Sequence, residues 1–288
     1  MRHVPTVRTL HRALAFTVVA VGFLAVSPER AAAQASRLFP DRSLMPRLLA
    51  APNETMTAAK LVVAPTTPSL FGTILEGEAA FGAVLPLYRI AGTTPQDAVI
   101  VGVEGGVVGR FNLETRERDL ITSDWNFGLP VVVHHGPHWV RARYFHTSAH
   151  FGDEYLERFG VERVPSAFDA LEVTGYVRPL AGFGLYGSGR WSFRVDPPGT
   201  RRWAVQGGAE VEAQSGTIAR PFAAGDIELD QLYDWTPRIN LQAGTHLRAP
   251  NELPAVRIAV EFMTGPSLQG QFQGARTTHI TLGAIIDF

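Results

Sequence analysis

The chain has 288 residues, 26 Lys and Arg against 27 Asp and Glu, a formal net charge of −1, and no cysteine. That balance offers no basic surface for nucleic acid, and the missing thiols exclude a disulfide framework, thiolate catalysis and thiolate metal ligation. The hydrophobic share is 45%, yet beyond the N-terminus no apolar run approaches the roughly 20 residues that a membrane helix needs.

The first segment reads as a secretory signal peptide over residues 1–35. Arg2, His3, Arg8 and Arg12 make a positive start, residues 13–26 an apolar core, and Ala33-Gln34-Ala35 a small-x-small cleavage site. Residues 36–55 carry Pro40, Pro46 and Pro52 and no periodicity. They are expected to form a periplasmic arm that packs under or into the domain that follows.

From residue 56 the chain alternates between apolar and polar residues, the period of a strand with two unlike faces. The spacing predicts strands over 56–65, 76–90, 97–111, 119–134, 138–148, 169–178, 183–195, 201–213, 219–231, 235–249, 255–265 and 277–288. In the last of these, Ile280, Leu282, Ala284 and Ile286 share one face while His279, Thr281 and Asp287 share the other. The polar faces of the earlier strands gather acids (Glu104, Asp124, Glu172, Glu210, Glu212, Asp226, Glu228, Glu261) and bases (Arg110, Arg178, Arg190, Arg194, Arg202, Arg238, Arg248, Arg257).

About twelve strands, an even number, with an aromatic at the chain's last position, predict an all-β fold. The expected form is a single antiparallel transmembrane β-barrel over residues 56–288 with a polar, charged lumen, inserted in an outer membrane. In lipid every backbone group must be paired, and closure of the sheet achieves this. Connections alternate between short turns on the side of the termini and longer loops on the other, the asymmetry of such barrels. The final strand, ending at Phe288, is the expected handle for barrel-assembly machinery, and membrane lipids are the other expected partners. Parity alone does not tell inside from outside, so a soluble sandwich or lipocalin-like barrel is the competing fold.

One stretch has the residue types for chemistry. In 138–148, Trp139, Arg141, Arg143 and Phe145 belong to the lumen parity. His146 and Ser148 then point at lipid, where polar side chains are costly without a purpose. A serine becomes a nucleophile when a histidine takes its proton and an acid orients the ring. Asp169, on the outward parity of the next strand, is the expected acid, and Glu154 in the intervening loop the alternative. The same region could instead cap the strand with interfacial polar residues, or hold zinc or calcium with His146, His150, Asp153 and Glu154. No cofactor is expected.

His146-Thr147-Ser148 resembles the His-x-Ser of the outer-membrane lipid hydrolases: outer-membrane phospholipase A, itself a twelve-stranded barrel, and the lipid A 3-O-deacylase. In those families the serine attacks an acyl ester, the histidine is general base, and an Asn or Glu on the neighbouring strand orients it, all facing the bilayer. The chain departs from them in having Ala149-His150 where Asn-Gly or Asn-Ala usually follows the serine, and in a longer spacing to the next-strand acid. Over Leu38 to Phe288 the chain resembles a family of unknown function, DUF1207. The resemblance rests on LFPDRSLMPRLLAAPNE at 38–54, YFHTSAHFGDEY at 144–155 and GQFQG at 270–274. It implies an envelope location and one domain, and no activity. Two functions follow as expectations: an envelope barrel without catalysis, as a narrow pore or scaffold, or a lipid acyl hydrolase using Ser148, His146 and Asp169.

Overall fold

The computed structural model describes residues 36–66, 71–92, 94, 97–163, 165–198, 202–214, 218–247, 255–272 and 274–287. The expected signal peptide and Phe288 lie outside the described residues, as does Arg248. Twelve strands form the wall: β2 Thr57–Val63, β3 Leu75–Ala91, β4 Ala98–Asn112, β5 Leu120–His135, β6 His138–Phe151, β7 Ala167–Leu180, β8 Phe183–Asp196, β9 Trp203–Glu212, β10 Ala219–Asp230, β11 Pro237–Leu247, β12 Ala255–Pro266 and β13 Arg276–Asp287. Each pairs antiparallel with its sequence neighbour, and β13 pairs with β2, from Ile280 opposite Val63 to Ile286 opposite Thr57. The sheet is therefore closed. A two-residue strand β1, Arg37–Leu38, adds to β3 at Tyr88 and Arg89.

The side chains settle which face is inside. Glu76 and Arg110 are 0% and 2% exposed, whereas Phe81 and Trp203 are 67% and 55% exposed. Rings and branched chains such as Val173, Leu241, Ile280 and Leu282 stand on the outside. This inverts the soluble pattern and excludes a barrel or sandwich with a greasy centre.

Lumen charges are neutralised in pairs and triplets. Arg110 reaches Glu76 at 3.1 Å and Glu78 at 2.7 Å, and Lys60 reaches Glu78 at 3.0 Å and Glu261 at 3.3 Å. Arg143 lies 2.8 Å from Glu172 and 3.2 Å from Glu104. The close approach of Glu104 needs a strand residue without a side chain, since a Cβ at Gly128 would stand 2.5 Å from its Oε1. Tyr186 donates to Asp226 at 2.6 Å, and its ring lies where a Cβ on Gly208 would sit.

Residues 39–56 leave the wall and enter the lumen from the end where the termini lie. Met45, Leu48 and Ala51 pack with Val84, Ile100, Val132, Trp139, Tyr176 and Tyr186 as an apolar cluster inside the barrel. Polar groups of the arm find wall partners: Asn53 donates to Glu228 at 3.0 Å, Asn240 to the Ala50 carbonyl at 2.7 Å, and Leu49 N–H to Glu210 at 3.1 Å. Glu54 accepts from Arg141 at 3.0 Å deep in the lumen.

Towards the opposite end, aromatics from the loops pack together. Phe71, Ile121, Tyr155 and Phe272 cluster there with Phe151. Tyr155 is carried by a short helix α1, Asp153–Phe159. Gly152 opens α1 against the wall, where a Cβ would meet the Leu120 carbonyl at 1.9 Å. Beside these clusters lies a cavity of about 190 Å³, lined among others by Arg110, Asp124, Arg190, Arg238 and His279 and reaching the rim at Asp196 and Arg202.

Two arginines expected in the lumen are placed otherwise. Arg178 is exposed at its strand end, whereas Arg202, exposed at the opposite rim, still lines the cavity. Arg194 faces outward because the β7–β8 register shifts: Asp169 is opposite Arg194 but Ala170 is opposite Ser192, so Phe193 is an extra residue that reverses parity.

Arg143→Met removes the shared cation of Glu104 and Glu172 and leaves two buried carboxylates short of charge. It is expected to cost about 3–5 kcal/mol, read as a lower denaturant midpoint of the detergent-folded barrel. Arg116→Met breaks an exposed pair with Glu117 and is expected to leave the midpoint unchanged. With the lumen filled by the arm, the intact chain is expected to pass no steady single-channel current in a planar bilayer.

Candidate functional site

Strand parity puts His146 and Ser148 on the outward face of β6, near the end opposite the termini. The antiparallel register sets His146 opposite Asp169 of β7 and opposite Phe127 of β5; Ser148 lies opposite Ala167 and Trp125. A loop, residues 152–166 with α1, separates the two strands in sequence, and register alone brings the histidine and the acid together.

His146 Nδ1 stands 2.9 Å from Asp169 Oδ1. An ionised carboxylate only accepts, so Nδ1 donates and Nε2 is left as a base. Tyr144, two residues earlier on the same face, donates its hydroxyl to the same Oδ1 at 2.8 Å. Arg194 Nη1 lies 3.8 Å from Oδ2. The Asp169 side chain is 9% exposed and that of His146 42% exposed, so the acid is covered and the ring open. Trp125, Phe127, Leu171 and Phe193 surround the pair on the outer wall, all exposed.

Ser148 is half-buried and follows His146 by two residues, about 6.6 Å along the strand. Among the described residues no hydrogen bond joins it to His146 or Asp169. The three expected residues are thus gathered on one outward patch with the histidine–acid contact made and the serine–histidine contact unmade.

The alternatives fare differently. Glu154 is exposed on α1, and Asp169 occupies the orienting position that Glu154 would need. The zinc or calcium set is not assembled: Asp153 pairs with Arg163, and among the described residues no group of three or more metal-ligand side chains comes together. Tyr144 and Arg194 are members of the patch that sequence reasoning missed. Tyr144 shares the parity of His146 and could have been found; Arg194 could not, because its parity is set by the Phe193 bulge.

Three solved structures give the fold its relatives. Outer membrane phospholipase A from Escherichia coli superposes with a TM-score of 0.57 at 9% identity, over 81% of this chain and 90% of that one. The calcium-bound outer membrane phospholipase dimer of Salmonella typhi gives 0.53 at 10% identity, over 82% and 93%. KdgM porin gives 0.45 at 7% identity, over 81% and 98%. The likeness to the two phospholipases, at these identities, shows the outer-membrane type of β-barrel and nothing of the chemistry. No curated protein matches the chain in sequence. The family model described as "Protein of unknown function (DUF1207)" matches residues 20–288, so this β-barrel of the outer-membrane type belongs to the DUF1207 family.

Proposed function

We propose that the protein is an outer-membrane lipid acyl hydrolase, with Ser148 as nucleophile, His146 as general base and Asp169 as the acid that orients the ring. The supporting observation is the His146 Nδ1–Asp169 contact at 2.9 Å on a wall that otherwise meets hydrocarbon. The acid is covered by its neighbours and the ring is left open on that surface, as a base that meets a membrane ester requires. The patch lies near the end opposite the termini, which on this reading faces the outer leaflet, so the ester of a lipid already in the membrane arrives at the depth of Ser148.

The reaction follows from the groups present. Ser148 Oγ attacks the ester carbonyl while His146 Nε2 takes its proton, giving a tetrahedral oxyanion and an imidazolium held by Asp169. Collapse breaks the bond to the alcohol, which leaves with the proton from Nε2, and the acyl group stays on Ser148. Water then attacks the acyl-serine with Nε2 again as base, releasing fatty acid and restoring the serine. Tyr144 shares Asp169 Oδ1 with the ring and holds the carboxylate in place.

The second reading is a plugged envelope barrel without catalysis. It draws on the unmade Ser148–His146 hydrogen bond. The filled lumen speaks for a scaffold over a narrow pore. Acyl release from short-chain phospholipid or lipopolysaccharide in detergent micelles separates the readings. Ser148→Ala is expected to lower the rate at least about 10³-fold, and Asp169→Asn about 10²- to 10⁴-fold. Equal release by wild type and Ser148→Ala, or none by either, selects the scaffold.

A further inference from the structure

We infer that the outward patch selects lipids whose headgroup is net negative, and that Arg194 is the selecting residue; this rests on the hydrolase reading. The evidence is the way Arg194 is exposed. By alternation from Ser192 and Arg190 it belongs in the lumen, and the single extra residue Phe193 turns it to the outer wall. Bulges of this kind re-aim side chains beside active sites.

Arg194 meets little there that neutralises it. Its side chain is 83% exposed, and among the described residues its ion-pair contact is the long 3.8 Å approach to Asp169. That carboxylate already accepts from Tyr144 and His146. Most of the five guanidinium donors therefore face outward. Among the described residues the nearby charges at this rim include Arg202, whose guanidinium donates to the Phe193 carbonyl, Asp196 at the end of β8 and His150 on β6; the loop before β7 adds Glu154, Glu157 and Glu162, with Asp153 paired to Arg163 and Arg158 to Asp119.

A cation on the lipid-facing wall costs about 2–4 kcal/mol at the midplane and close to nothing at the interface. Arg194 is thus tolerable at headgroup depth, and the rings beside it mark that depth. Phe193 lies 6.2 Å from Tyr144 and 5.8 Å from Trp191, and Trp191 lies 6.2 Å from Trp203, an aromatic belt of the interfacial kind. A guanidinium at that depth binds a phosphate oxygen pair as a fork. A zwitterionic headgroup carries its own cation toward Arg194 and gains less.

The test is the ratio of kcat/KM for dilauroyl phosphatidylglycerol to that for dilauroyl phosphatidylcholine in mixed micelles. The wild type is expected to favour the anionic lipid about tenfold, as for one charge-assisted hydrogen bond, and less so as salt is raised. Arg194→Gln is expected to bring the ratio near one, and Arg194→Lys to retain part of it. Any loss common to both substrates, through the Asp169 contact, cancels in the ratio. A wild-type ratio of one, or a ratio unchanged in Arg194→Gln, overturns the inference while Ser148-dependent turnover leaves the hydrolase reading standing. Turnover of neither lipid, or turnover that survives Ser148→Ala, overturns both.

Discussion

A wall of protein against hydrocarbon has no water to satisfy its backbone, so every N–H and C=O in it must find a partner within the wall. That constraint decides the architecture here. Twelve antiparallel strands satisfy one another only if the last pairs with the first, and β13 does pair with β2. Once the ring closes, each strand has one face outside and one inside, and the side chains sort themselves accordingly. The outward rings and branched chains are what the hydrocarbon requires, and the inward Arg, Lys, Glu and Asp are what remains to be accommodated.

The accommodation is electrostatic. A lumen this narrow leaves its charges little water, and a buried ion without a partner is expensive. Arg110, Lys60 and Arg143 accordingly each bridge two carboxylates. The arm completes the arrangement, since Glu54 meets Arg141 and the main chain at Leu49 and Ala50 meets Glu210 and Asn240. The outer patch is arranged differently: an acid and a histidine stand on the outward face near the rim, and the acid is covered while the ring stays open. Rigid strands hold both, so the site is positioned by sheet register more than by loop conformation.

Much of this was legible because a strand's period is two and the faces are chemically unlike. Ile280, Leu282 and Ala284 against His279 and Thr281 give β13 its orientation from sequence alone, and His146 and Ser148 are assigned to the outside in the same way. What alternation cannot supply is register. The contact of His146 with Asp169 depends on how β6 and β7 align across residues 152–166, and alternation alone does not distinguish Asp169 from Glu154. Arg194 was misplaced because one inserted residue, Phe193, reverses every inference downstream of it. The arm was harder still, for residues 39–56 have no period, and their placement follows from the shape of the space they fill.

The seam between β2 and β13 joins the two ends of the wall, and the segment that fills the lumen directly precedes β2. Only residues 55 and 56 separate Glu54, paired deep inside, from the first hydrogen-bonded residue of that seam. Contacts so distant along the chain are the slowest to form. Filling and zipping-up are therefore tied to the same short piece of chain: the ring cannot be sealed at Thr57 while its contents remain far outside, and the stopper travels with the strand that locks the door.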